Sequence, residues 1–199
     1  FTEGALRSQP NGECYARVRE VALPFFSFIP VAPTWPQVVV CAIPIDDEWT
    51  AQWYISFNAR ERLDPGWMTQ FNRDAGDPDH FNSDMGDVGN LWHQDRAAMK
   101  GGHWSGIVGK GNAYEDFAVQ ESMGPIVDRS KEFLGTCDVV IVRARRMLQA
   151  ALDNFEATGE ISFLTGDVDF AAIRALSFSY PSEQDWKEVE AETLAAAAE

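Results

Sequence analysis

The chain has 199 residues, 45% of them hydrophobic and 12% aromatic, a size and composition that suit one globular domain with a core of its own. Sixteen basic residues stand against 31 acidic ones, and the net charge of -15 opposes binding to nucleic acid or to an anionic membrane surface. No apolar run reaches the roughly 20 residues that a spanning helix requires, and the opening FTEGALRSQPNGE lacks the basic start and apolar middle of a secretion signal.

The three cysteines, Cys14, Cys41 and Cys137, are far apart and odd in number, with no C-x-x-C or C-x-H pair. That usage predicts buried free thiols in a reducing, cytoplasmic setting. The first residue is Phe1 rather than Met, so the expectation is a processed or partial product.

From Cys14 to Phe57 the pattern is that of strands. YARVREVAL alternates, LPFFSFIPVAPTWP interposes prolines and aromatics, and QVVVCAIPI and WTAQWYISF are rich in Val, Ile, Trp, Tyr and Phe. Successive antiparallel strands are predicted, with an acidic turn at PIDDE and with one face of QWYISF buried while the other meets a cavity or solvent. Residues 58–90 are crowded with Asp, Asn, Gly and Pro and predict a long irregular connection, of the kind that carries function or moves. Residues 90–120 predict a short helix around 91–99, then loops and one short strand.

DVVIVRARRMLQAALDNFEATG is the best helix in the chain. Ile141, Ala144, Leu148, Ala151, Leu152 and Phe155 recur at three and four, Asp138 is the N-cap and Gly159 the stop. Residues 160–185 alternate weakly, and SEQDWKEVEAETLAAAAE reads as a helix or a frayed tail. Strands first and one long amphipathic helix late predict an α+β domain with that helix across an antiparallel sheet.

Local motifs for chemistry are sparse. His80, His93 and His103 are 13 and 10 residues apart, which is not the spacing of ligands on one element. His80 lies among four aspartates, where a solvated acidic loop is the plainer reading; a divalent-cation site between Asp74 and Asp87 is a weaker alternative. His93 and His103 each adjoin a tryptophan and read as packed or surface imidazoles. There is no G-x-S-x-G, Ser105 has no matching base beside it, and GKGNA is too short for a phosphate loop. The arginines of RARR read as a solvated helix face.

The run from WHQDRAAMK through SGI and QESMGPIVDRSKEFLGTCD to the Arg-rich helix, with the weaker LPFFSFIPV and VVVCAIPIDDEWTAQWYISF upstream, covers most of residues 20–155. It resembles the C-terminal catalytic half of the Rieske-type non-haem iron aromatic oxygenases, in the phthalate dioxygenase branch. The resemblance implies a helix-grip (START-like) fold, a curved antiparallel sheet packed on a long C-terminal helix with a substrate cavity between them. It implies mononuclear Fe(II) held by two histidines and a carboxylate, and it puts that carboxylate at Glu121. An anionic oxygen ligand offsets the charge of Fe(II), and a facial triad leaves positions open for oxygen.

The partners implied are an aromatic substrate, most naturally a carboxylated one, dioxygen, and a reductase or ferredoxin as electron donor, in a homotrimer. Between the matching blocks Trp104, Ile107, Val108 and Phe117 are candidate pocket residues, with core packing the competing reading of each. The paired Cys and His motifs of a [2Fe-2S] Rieske domain, and the family's two iron-binding histidines, have no counterpart in these residues. Two expectations follow. Residues 1–199 are a catalytic-domain portion of a longer oxygenase subunit; alternatively, they are a shortened, metal-free helix-grip module that binds a small apolar or aromatic ligand.

Overall fold

A computed structural model describes residues 2–30, 35–64, 86–109, 112–161, 169–170 and 172–198. His80, the aspartates from Asp74 to Asp84, and Lys110 and Gly111 of GKGNA lie outside the described residues. The chain divides into two compact units. One comprises residues 1–46, 50–62 and 133–199, the other residues 47–49 and 63–132.

The first unit is built on a six-stranded antiparallel sheet. Strand β1 (Thr2–Ser8) turns through Gly12, at φ 84°, into β2 (Glu13–Ala22). The turn is closed by Gln9 N donating to Glu13 O at 2.8 Å and Gly12 N donating to Gln9 O at 3.2 Å. β3 (Phe26–Ile29), β4 (Gln37–Pro44) and β5 (Thr50–Phe57) continue the sheet in order. β6 (Leu176–Pro181) returns to pair with Glu13–Val18 of β2, while β3 takes up the rest of that strand from Glu20.

The strands predicted between Cys14 and Phe57 are thus present, and β1 is one that composition did not announce. TEGALRS has no β-branched residue beyond Thr2, and it is held by register with β2 from Thr2 opposite Glu20 to Ser8 opposite Cys14.

Alternation decides the packing. Ala16 and Val18 are fully buried on one face of β2, beside Leu176 and Tyr180 of β6. Helix α4 (Trp186–Ala198) covers that face through Trp186 and Val189. The C-terminal segment is therefore a docked helix rather than a frayed tail.

A second cluster joins Phe28, Val39, Cys41 and Ala175, with Phe26, Phe57 and Ile173 around it. Here fully buried Gln37 substitutes for a strand. Its Nε2 donates to Ala175 O at 3.2 Å, and Ala175 N donates back to its Oε1 at 3.0 Å. Because Val38 and Val40 are buried as well as Val39, β4 is covered on both sides, as its unbroken VVV run suggests. β5 has the one covered and one open face expected of QWYISF, and its covered face is the more polar one. Trp53 and Ile55 stand half exposed, while Gln52, Tyr54 and Ser56 are partly covered and Ser56 Oγ is buried without a hydrogen-bond partner.

Helix α3 (Val139–Thr158) matches the predicted limits, and Gly159 ends it in the left-handed conformation at φ 76° with its N–H donating to Phe155 O. Two details differ. Asp138 does not cap α3 with its side chain; the carboxylate accepts from Gly135 N at 2.7 Å and closes the short turn before it. Nor is the apolar stripe sealed, since Ile141, Leu148, Leu152 and Phe155 remain exposed and only Ala151 is buried. The helix that covers a sheet face among the described residues is α4.

The antiparallel sheet followed by a long late helix is α+β and of the helix-grip kind. All three cysteines are free, but only Cys41 is buried, where desolvation raises its thiol; Cys137 is exposed, against the expectation of burial. Among the described residues no helix is long and apolar enough to cross a membrane.

Candidate metal and substrate site

Glu121, Trp104, Ile107, Val108 and Phe117 all fall in the second unit. Its described part begins with a turn assembled by side chains. Asp87 Oδ1 accepts from Gly89 N at 2.7 Å and Asn90 N at 3.1 Å, and Asn90 Oδ1 accepts from Asp87 N at 2.9 Å.

The chain then makes a left-handed turn at Leu91–His93, with φ of 54°, 51° and 57°, where a helix around 91–99 was expected. Left-handed backbone costs an L-residue about 1–2 kcal/mol. The turn is sustained by Trp92 N donating to Asp87 O, His93 N to Asn90 O and Gln94 N to Leu91 O. Gly86 permits it, because a Cβ there would lie 2.6 Å from Trp92 Cα.

Right-handed helix resumes at α1 (Arg96–Lys100), capped by Asp95, whose Oδ1 accepts from Ala97 N at 2.7 Å and Ala98 N at 3.1 Å. The loop after it, residues 103–109, folds on its own polar groups. Gly106 N donates to His103 Nδ1 at 3.0 Å and Ile107 N to Ser105 Oγ at 3.2 Å, while Gln94 Nε2 donates to Ser105 O at 2.6 Å.

Helix α2 (Asn112–Glu121) follows where loops and a short strand were predicted. Two side-chain bonds tie it down. Near its start Ser105 Oγ donates to Glu115 Oε1 at 2.5 Å, and at its end Trp92 Nε1 donates to Glu121 Oε2 at 2.6 Å. Tyr114 is buried beneath it.

The acids of α2 differ in setting. Glu115 lies in the first turn, where the helix dipole favours a negative charge. Glu121 closes the helix at its negative end, and the last turn contains no basic residue. Its carboxylate is exposed, with Oε2 held by the indole and no partner among the described residues at Oε1. Asp116 stands at the surface, yet partial desolvation, together with the charge of Glu115 beside it, raises its carboxyl above the ordinary aspartate value.

The candidate pocket residues separate. Trp104 is 76% and Val108 55% exposed, on the loop tied to α2; Phe117 is half buried, and Ile107, at 5%, is core beneath that loop. Among the described residues no three His, Cys, Asp or Glu side chains converge on a point that could hold a metal. Glu121, the carboxylate singled out in the sequence, meets no second candidate ligand among the described residues. Trp92 and Asp116 did not stand out in the sequence. The signal for the first was the Asp, Gly and Asn turn chemistry of DVGN just ahead of it.

The antiparallel sheet and the late long helix of the first unit are those of a helix-grip domain. Over residues 7–199 the chain matches the LigXa C-terminal domain like family, and it belongs to that family. It is 34% identical over 154 residues to the phthalate 4,5-dioxygenase oxygenase subunit of Pseudomonas putida, covering 75% of this chain and 34% of that protein. It is 30% identical over 190 residues to the 3-chlorobenzoate-3,4-dioxygenase oxygenase subunit of Comamonas testosteroni, covering 87% of this chain and 44% of that protein. The chain thus spans between about a third and under half of the length of these relatives. The matches bear out the resemblance to the Rieske-type ring-hydroxylating oxygenases.

Proposed function

We propose that this chain is the later part of the catalytic domain of an oxygenase subunit that hydroxylates or demethylates a carboxylated aromatic substrate with dioxygen at mononuclear non-haem iron. The observation that carries the reading is Glu121, an exposed carboxylate at the negative end of a helix with one oxygen held and the other open. Both relatives are named as oxygenase subunits of dioxygenases that act on aromatic acids, and their greater length leaves room for the other parts. In this reading the two histidine ligands and the [2Fe-2S] cluster are carried by other residues of the longer subunit, and a reductase or ferredoxin supplies electrons to the homotrimer.

Iron, when bound, supplies the activation of dioxygen, a chemistry that amino-acid side chains lack. The chain's own part is to give the site an anionic oxygen at Glu121 and an apolar surface at Trp104, Val108 and Phe117 that excludes water from an aromatic ring.

Asp116 supports a second reading of the ligand. Its raised proton affinity marks a carboxylate whose charge the fold disfavours, a property concentrated at functional sites. It precedes Glu121 by five positions, about 7.5 Å along the helix and about 140° around it, so the two acids face different directions.

Iron content of the full-length protein, reconstituted anaerobically with Fe(II), separates them. Glu121→Ala is expected to lose the iron and Asp116→Ala to keep it. The reverse result transfers the ligand to Asp116, and iron retained in both removes α2 from the metal site.

A further inference from the structure

Helix α4 docks by one stripe. Trp186, Val189, Glu190, Thr193 and Leu194 are partly buried, at i, i+3, i+4, i+7 and i+8, while the residues between them are exposed. Trp186 lies against Gly4, and with Val189 it packs on Ala16, Val18 and Tyr180. Thr193 turns its hydroxyl back to Val189 O at 2.7 Å, so Glu190 alone brings a charge into the seat.

The sheet meets it with a second acid. β2 alternates, so Glu20 shares the covered face with Ala16 and Val18. Its partner across the ladder, Thr2, donates its hydroxyl to Glu20 Oε1 at 2.7 Å. From Trp186 to Glu190 the helix rises about 6 Å, and from Val18 to Glu20 the strand rises about 7 Å. With Trp186 seated against Gly4, the partner of Val18, the matching step sets Glu190 beside Glu20. Desolvation under the helix, and then the charge of Glu20, raise the Glu190 carboxyl above the ordinary glutamate value, and Lys187 on the same helix opposes them. The other titratable groups in the seat are Tyr180, whose phenol burial pushes up, and Cys14 beside it.

Neighbouring carboxyl groups ionise together only at a cost, and they titrate as a pair. We propose that Glu20 and Glu190 are a proton-operated latch: sharing one proton they hold α4 closed on β1 and β2, and with both ionised they loosen the helix while the sheet stays folded. The latch lies wholly in the first unit and is independent of the metal reading. Its sign follows from Glu190. The docked helix binds the proton more tightly than the undocked one, so docking is strongest below the ordinary value of 4.5 and weakens as pH rises through the raised one.

The test is amide hydrogen exchange of the full-length protein between about pH 5 and about pH 8, corrected for the intrinsic rate, with β2 as the internal reference. In wild type the protection of α4 relative to β2 is expected to fall severalfold across that range. Glu190→Gln keeps the shape and removes the charge, and it is expected to hold α4 at its acid-side protection throughout. Glu20→Gln leaves only the desolvation and is expected to show a smaller fall, which carries the test should Glu190→Gln fold poorly. Asp116→Asn, in the second unit, is expected to leave the fall as it is in wild type. Protection of α4 that is independent of pH in wild type, that falls equally in both glutamine variants and wild type, or that falls only together with β2, overturns the latch.

Discussion

The six-membered ring of Trp186 in α4 lies over Gly4 in β1 so closely that a Cβ built on Gly4 would come within 2.9 Å of it. Gly4 pairs with Val18 across the β1–β2 ladder, and Trp186 packs on the cluster of Ala16, Val18 and Tyr180. A glycine in mid-strand ordinarily weakens a sheet; here it marks a close approach by a large side chain. Gly4→Ala is expected to destabilise the protein by about 1–3 kcal/mol through overpacking. Trp186→Ala is expected to cost a similar amount by uncovering the cluster, and in the double variant the two losses should fall short of their sum. Chemical denaturation of the four proteins of this cycle measures the shortfall, and strict additivity would separate the ring from the glycine.

Gln37 and Ala175 exchange two hydrogen bonds in the interior, which fastens the entry to β6 onto β4. Gln37→Leu keeps the volume and strands the N–H and C=O of Ala175 together, so a loss of about 2–4 kcal/mol is expected. Amide exchange at Ala175 should accelerate more than exchange at Ala16. Equal acceleration at both would mean that the clamp is not local.

Asp116 gives a pH signature of known sign. Its folded-state proton affinity is raised, so the folded protein binds the proton more tightly than the unfolded chain does, and stability falls as pH rises from the ordinary aspartate value of 3.8 through the raised one. Asp116→Asn removes that loss. The variant is expected to have a higher thermal midpoint than wild type at neutral pH, and the advantage should shrink on acidification and vanish below 3.8. An advantage independent of pH would point to a cause other than the carboxyl charge.

Ser105 is the pin between the 103–109 loop and α2, donating to Glu115 while accepting from Ile107 N. Ser105→Ala leaves a partly buried carboxylate oxygen and a backbone N–H without this partner, and about 1–3 kcal/mol of stability is expected to be lost. Because Trp104 and Val108 project from the same loop, the proposed function predicts that affinity of the full-length protein for an aromatic acid weakens while its Fe(II) affinity is unchanged. Loss of iron in this variant would tie the loop to the metal instead.

What could be read in advance was local. The limits of α3 follow from Ile141, Leu148 and Phe155 at helical spacing and from Gly159, whose left-handed stop requires no distant partner. β2, β4 and β5 follow from alternation and from β-branched runs. α2 escaped because glycines crowd its approach and AYEDFAVQE has no sustained apolar period; it is held at its two ends by Ser105 and Trp92 from other elements. The site divides in the same way. Glu121 was singled out as a candidate through the order of the QES, DRAAMK and SGI blocks, whereas its hydrogen bond from Trp92 was not legible, since that contact depends on a backbone conformation that no propensity favours.

The sequence by itself determined the antiparallel strands and the long helix, because periodicity and turn chemistry act over a few residues and survive in any context, and the order of its DRAAMK, SGI and QES blocks carried the resemblance to the family. Only the tertiary structure decided that α4 covers the sheet while the stripe of α3 stays exposed, and that Trp92 reaches Glu121 from 29 positions away. Those outcomes depend on which distant surfaces close on one another, and on strain at Leu91–His93 that its surroundings alone sustain.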